Sequence, residues 1–143
     1  MKILILGASY GSLLSTKLLM AGHDVTLICR SKSAALINDG GTEVRIKLRD
    51  EDSHRAFRSH DLAGTLDAVT PADARPEDYD LISLAMQEPQ YSEPQVRALM
   101  QRIATSRKPC LSIMNMPPLP FLRRIDALAE APLEMCYDDA SVW

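Results

Sequence analysis

Nowhere does the sequence hold an apolar run approaching the ~20 residues that a membrane span needs. The longest near the start, Ile3-Leu4-Ile5-Leu6, stops at Gly7. No secretory leader is expected either, because a glycine-containing turn and an amphipathic segment follow at once where a longer apolar stretch and a cleavage site would stand. Cysteine is scarce. Cys29, Cys110 and Cys136 are odd in number and far apart, they have no metal-ligand spacing, and their apolar neighbours predict buried thiols in a reducing, cytoplasmic compartment. A surplus of positive charge is missing too: 16 Lys+Arg stand against 19 Asp+Glu, a net charge of −3, which argues against a nucleic-acid partner. The basic residues between Arg45 and Arg58 are interleaved with Asp50, Glu51 and Asp52, the pattern of a solvated hairpin face. His23, His54 and His60 form no i,i+4 pair and are expected to be exposed loop or strand residues. There is no internal repeat and no low-complexity tract.

What is there suffices for one globular domain spanning residues 1–143. The chain is 46% hydrophobic and 24% charged, and at this size about two-thirds of the unfolded surface is buried on folding, so the core needs no disulfide or metal. Residues 2–6 are a short Ile-rich run of the kind found in a strand buried on both faces. From Ser12, Leu13, Leu14, Leu18, Leu19 and Ala21 recur at helical spacing until Gly22 stops them. Val25 to Cys29 is a second apolar run, completing a strand–helix–strand unit. A short helix over 31–38 is closed by Gly40-Gly41, and Val44, Ile46 and Leu48 then alternate with Arg45, Lys47 and Arg49 as in a half-exposed strand. Returning strands are expected near 54–58 and 66–69, and a buried strand over 80–86. A helix over 91–104 carries Val96, Leu99, Met100 and Ile103, and a strand over 110–114 follows. Pro117, Pro118 and Pro120 exclude a regular helix until about Phe121, and a last strand is expected over 133–137. The alternation predicts an α/β domain with a mostly parallel sheet.

In such a sheet, ligands sit beyond the carboxyl ends of the strands, and the first strand-to-helix turn is the usual place for a phosphate. Here that turn reads Gly7-Ala8-Ser9-Tyr10-Gly11-Ser12. Glycine permits the tight turn, the approach of a pyrophosphate and close packing of helix on strand, and the helix N-terminus adds unpaired N–H groups with a partial positive charge. Between Gly7 and Gly22 there is one residue fewer than in the G-x-G-x-x-G pattern, so Gly11 takes the place of the third glycine and Ser9 that of the second. The Ser9 side chain either crowds a pyrophosphate or donates to it. At the end of the next strand, where a carboxylate would accept from the ribose 2′-hydroxyl of NAD, the chain has Cys29-Arg30-Ser31-Lys32. Arg30, assisted by Lys32, suits the 2′-phosphate of NADP instead.

These segments resemble the amino-terminal domain of the ketopantoate reductases (2-dehydropantoate 2-reductases). The likeness runs from MKILILGASYGSLL through Gly22-His23-Asp24-Val25 and Asp80 to Met86, and on to Leu111–Asn115. It implies a Rossmann-type doubly wound sheet with helices on both faces, and NADP as cofactor. It also implies cofactor contacts by Met86, Gln87, Gln90 and Asn115, with Asn115 close to cofactor and substrate as well. The departures from the family pattern are Gln87 where the family has Lys, Asn115-Met116-Pro117-Pro118 where it has Asn-Gly, and the shortened glycine turn. The family's catalytic Lys and substrate-orienting Glu lie in a helical domain, which would begin about where this chain ends, so the chain is expected to be a domain of a longer protein, inactive alone. The resemblance implies hydride transfer from NADPH to a 2-keto acid or related carbonyl. The departures leave open a non-catalytic nucleotide-binding or dimerisation module on the same scaffold. The partners to expect are NADP(H) and a small carbonyl substrate, with a homodimer an open option; nucleic acid and membrane are not among them.

Overall fold

The computed structural model describes residues 1–113 and 119–136. Its centre is a parallel sheet of β1 (Lys2–Leu6), β2 (Asp24–Ile28), β5 (Leu66–Val69), β6 (Leu81–Leu84) and β7 (Cys110–Ser112), in the order β5-β2-β1-β6-β7. An antiparallel hairpin of β3 (Glu43–Lys47) and β4 (His54–Arg58) forms a separate two-stranded sheet. The helices are α1 (Ala8–Met20), α2 (Ser31–Gly40), α3 (Pro94–Ser106) and the single turn α4 (Leu119–Leu122).

The order of the strands decides which face each helix covers. From β1 the chain steps outward through β2 to β5, then returns to lay β6 on the other side of β1. Right-handed crossovers put the connections made before and after such a reversal on opposite faces. Side-chain alternation along β1 follows suit: Ile3 and Ile5 join Leu19, Val25, Leu27 and Ala34 on the face of α1 and α2, while Leu4 and Leu6 join Ile28, Ile82, Leu99 and Ile103 under α3. The central strands are buried on both sides, as their unbroken apolar runs predict. At the β5 edge Asn38 occupies the free backbone groups: its Nδ2 donates to Ala68 O and its Oδ1 accepts from Ala68 N–H, both at 2.8 Å. That pairing leaves Ala68 unable to recruit another strand.

Several boundaries differ from the sequence expectations. The first helix starts at Ala8, not Ser12, so Gly11 is a buried helical residue. A Cβ at Gly11 would stand 2.9 Å from Ile5 Cγ2 and 3.4 Å from Leu27 Cδ2. The buried face of α1 is small and polar: Gly11, Ser15 and Thr16 lie inward with Leu19, whereas Leu13 is exposed. Ser15 Oγ and Thr16 Oγ1 both donate to Ser12 O, at 2.9 and 2.8 Å, which satisfies them without a partner in the sheet. The expected 91–104 helix runs over 94–106 behind a 3-10 turn at Glu88–Ser92. Helix α4 starts at Leu119, ahead of the expected Phe121, and accepts Pro120 because the first turn needs no N–H there; a 3-10 turn at Asp126–Leu128 follows. The segment from Leu133 to Cys136 is a 3-10 turn, not a strand; Tyr137 lies outside the described residues, as does Met114, the expected end of β7. The cysteines are less buried than their apolar neighbours imply. Cys110 on edge strand β7 and Cys136 are exposed, Cys29 is half-buried, and all three are free. The basic residues of 45–58 do lie on a solvated hairpin, where Arg45 and Arg58 both pair with Glu43. Among the described residues no helix is long and apolar enough to cross a membrane.

The close fit of α1 on the sheet sets an expected outcome. Gly11→Val should destabilise the fold by about 1–3 kcal/mol through overpacking against Ile5 and Leu27, read as a lower urea midpoint with an unchanged slope. Unaltered stability would show that α1 can lift from the sheet without loss.

Candidate functional site

At Gly7 the chain passes directly from strand into helix. Its φ of +104° suits only glycine among the residue types, and a Cβ there would lie 2.7 Å from Met86 Cγ and 2.8 Å from Ala85 O. The Gly7 N–H donates to Ile28 O at 3.0 Å, and the Ala85 N–H donates to Leu6 O at 2.9 Å. The carboxyl ends of β2, β1 and β6 are thereby laced together.

Above this seam lies a cleft of about 570 Å³, within the size range of small-ligand sites. Gly7 and Ala8 form its base. Ile28 to Ser31 with Ser33 line it from β2 and α2, Thr70 to Ala72 from the turn after β5, and Met86, Gln90, Glu93, Gln95 and Val96 from β6 and the start of α3. Helices α1 and α2 begin at residues of this lining. Neither carries an acidic residue in its first turn or a side-chain cap, so the positive ends of both dipoles are left uncompensated by their own sequence. Arg30 is exposed at the start of α2. Among the described residues neither Arg30 nor Lys32 has a side-chain hydrogen bond or ion pair, unlike Arg45, Arg55 and Arg58 of the hairpin. Cys29 is held protonated by burial, which pushes its thiol above the ordinary range.

Two supports sit behind the lining. Tyr91 is fully buried; its hydroxyl accepts from Met86 N–H at 3.4 Å, and burial raises its pKa far above the usual phenol value. Arg102 of α3 donates through Nη1 to Ala74 O and through Nη2 to Pro71 O. The same turn is closed by Thr70 Oγ1 donating to Asp73 Oδ2 at 2.6 Å and by Asp73 and Ala74 N–H donating to Thr70 O at 3.2 Å. Arg102 therefore ties the 70–74 wall of the cleft to the helix that begins the opposite wall.

Of the residues singled out in the sequence, Gly7, Ala8, Arg30, Met86 and Gln90 line the cleft. Ser9, Tyr10, Gly11 and Ser12 belong to the first turns of α1 and are outside the lining; Gly11 packs beneath it. Lys32 is exposed in the first turn of α2, also outside the lining. Gln87 is outside it too, its side chain turned to Tyr10. Asn115 lies outside the described residues. Sequence reasoning missed Ser31, Ser33, Thr70 to Ala72, Glu93 and Gln95. For Thr70 to Ala72 a signal existed, since they directly follow a strand whose carboxyl end must border the crevice.

A family model described as ketopantoate reductase PanE/ApbA matches residues 3–115. Among solved structures, the chain is similar to a protein from Bacillus subtilis described as a 2-dehydropantoate 2-reductase, panE, with 26% identity, a TM-score of 0.52, and 80% of this chain and 34% of that chain covered. A protein from Enterococcus faecalis described as a 2-dehydropantoate 2-reductase is similar at 20% identity and a TM-score of 0.48, with 78% of this chain and 33% of that chain covered. No curated protein matches the sequence. The chain spans about a third of the length of these two solved proteins.

Arg102→Met should cost about 1.5–3 kcal/mol, the usual worth of charge-assisted hydrogen bonds. Amide hydrogen exchange at Asp73 and Ala74 should accelerate more than at Ile3 to Leu6. A uniform acceleration over turn and sheet would show that Arg102 serves the fold as a whole and not this wall.

Proposed function

The chain belongs to the ketopantoate reductase PanE/ApbA family, and on that premise we propose that it is the NADP(H)-binding part of an oxidoreductase acting on a 2-keto acid or related carbonyl. The observation that carries this reading is Arg30, a guanidinium without a side-chain partner among the described residues, at the carboxyl end of β2 and lining the same cleft as Gly7. The residues present fit the cofactor's phosphates. Gly7 offers backbone with no Cβ, the uncompensated starts of α1 and α2 favour negative charge, and no carboxylate stands at the end of β2 to accept from a free ribose 2′-hydroxyl. Arg30, with its planar fork, would hold the 2′-phosphate beside Ser31, and Lys32 would add charge from the next residue of α2.

The cofactor, when bound, supplies the hydride. The chain's own contribution is to bind and orient it: the rigid seam of β1, β2 and β6 sets its position, and the two walls tied by Arg102 set the width of the cleft. A non-catalytic nucleotide-binding module is the second reading. It is favoured by the lining itself, where no histidine or lysine is found among the described residues to give a proton to a developing alkoxide.

Calorimetric titration with both cofactors tests the first reading. Arg30→Ala should weaken NADPH about tenfold or more, the worth of a charge-assisted contact to phosphate, and leave NADH nearly unchanged. Equal losses for the two would remove Arg30 from the 2′-phosphate. The 143-residue chain should bind NADPH without oxidising it when offered a panel of 2-keto acids. Turnover above background would place the general acid within this chain.

A further inference from the structure

Among the described residues, a side-chain hydrogen bond crosses between the carboxyl ends of β1 and β6. Gln87 Nε2 donates to Tyr10 Oη at 3.2 Å, joining residues 77 positions apart. Tyr10 is in the first turn of α1 and 58% exposed; Gln87 is exposed directly after Met86. Neither side chain is held in place by burial, so core packing does not require the bond. Its frame is nevertheless rigid. The Gln87 N–H donates to Gln90 Oε1 and the Gln87 C=O accepts from Gln90 N–H, both at 3.0 Å, and Met86 is anchored on buried Tyr91.

The position of this bond gives it a consequence. In an open parallel sheet a dinucleotide crosses the point where strand order reverses, and here that point lies between β1 and β6. The cleft reaches from Arg30, Ser33 and Thr70 to Met86 and Gln90, with Tyr10 and Gln87 outside its lining. A phosphorylated adenosine held at Arg30 would meet neither residue, whereas the second half of a dinucleotide, if it ran over the start of α1 toward the end of β6, would meet both. We propose that Tyr10 and Gln87 are a specificity-determining pair whose hydrogen bond must open to admit the nicotinamide half of the cofactor and leaves the adenosine 2′-phosphate end accessible. The proposal rests on the reading of the cleft as an NADP(H) site. Gln90, which both lines the cleft and holds the Gln87 backbone, links occupancy of the open end to that hydrogen bond.

A neutral, exposed hydrogen bond that must open on binding lowers affinity by about two- to tenfold. Titration of the 143-residue chain with NADPH and with adenosine 2′,5′-bisphosphate reads the effect. Tyr10→Phe keeps the ring and removes the hydroxyl; it should tighten NADPH about two- to tenfold and leave the bisphosphate within twofold. Gln87→Ala, which also removes the side chain's cap on the Gln90 N–H, should shift NADPH in the same direction, and adding Tyr10→Phe to it should bring no further gain, because the Tyr10–Gln87 bond is already lost. An unchanged ratio of the two affinities would overturn the pair's role, and weaker NADPH binding by Tyr10→Phe would make the hydroxyl a ligand contact instead. If the wild type binds neither compound at millimolar concentration, the NADP(H) reading itself falls and this proposal with it. Binding of both with no change in the variants overturns the proposal alone.

Discussion

Where β1 ends, the main chain has no room for a side chain. Gly7 turns with a positive φ straight into α1, and the space a Cβ would need is filled by Met86 Cγ and the Ala85 carbonyl. Close approach of the β1 and β6 ends follows from this. So does the seam of hydrogen bonds from Gly7 to Ile28 and from Ala85 to Leu6, and so does the level of the cleft floor. With a side chain at residue 7, β6 would have to move outward, carrying Met86, Gln87 and Gln90 away from α1. The arrangement of every residue on the β6 side of the cleft thus depends on one missing atom.

The helix that starts there is built to approach the sheet closely. Its inward face carries Gly11, Ser15 and Thr16, whose hydroxyls are satisfied by their own helix, and a larger apolar side chain at these positions would hold α1 away from Ile5 and Leu27. The other face of the sheet is packed by conventional means, with Val96, Leu99 and Ile103 of α3 and fully buried Tyr91 against Leu4, Leu6 and Ile82. The asymmetry suits the division of labour between the two faces. A close helix brings its N-terminal dipole near the cleft, and a thickly packed one, through Arg102, steadies the opposite wall.

The tertiary arrangement also accounts for two charges of different kinds. Arg102 spends its donors on Pro71 and Ala74 carbonyls, whereas Arg30, at the start of a helix, spends none among the described residues. Only the first is a structural arginine, and the distinction rests on partners that are distant in sequence. Equally, the hairpin arginines that make the 45–58 segment look basic are largely answered by Glu43 and Glu51.

The sequence by itself determined the layers and the position of the seam. Short apolar runs at 3–6 and 25–28 fit strands buried on both faces, the 3.6 spacing of Val96, Leu99 and Ile103 fits a helix on one of them, and a glycine directly after the first strand marks the turn. Residue 30 was legible as a cation at a strand's carboxyl end. It did not determine where α1 begins, because glycine propensity reads Gly11 as loop, while its lack of a side chain is used for packing against Ile5. Nor did it determine the burial of the cysteines, since apolar neighbours in sequence do not reveal that β7 is a sheet edge. The far wall of the cleft at Thr70 to Ala72, its tether Arg102, and the meeting of Tyr10 with Gln87 were decided by tertiary structure alone. Each depends on strand order, which brings residues 28 to 77 positions apart within hydrogen-bonding distance, and local patterning carries no record of such pairings.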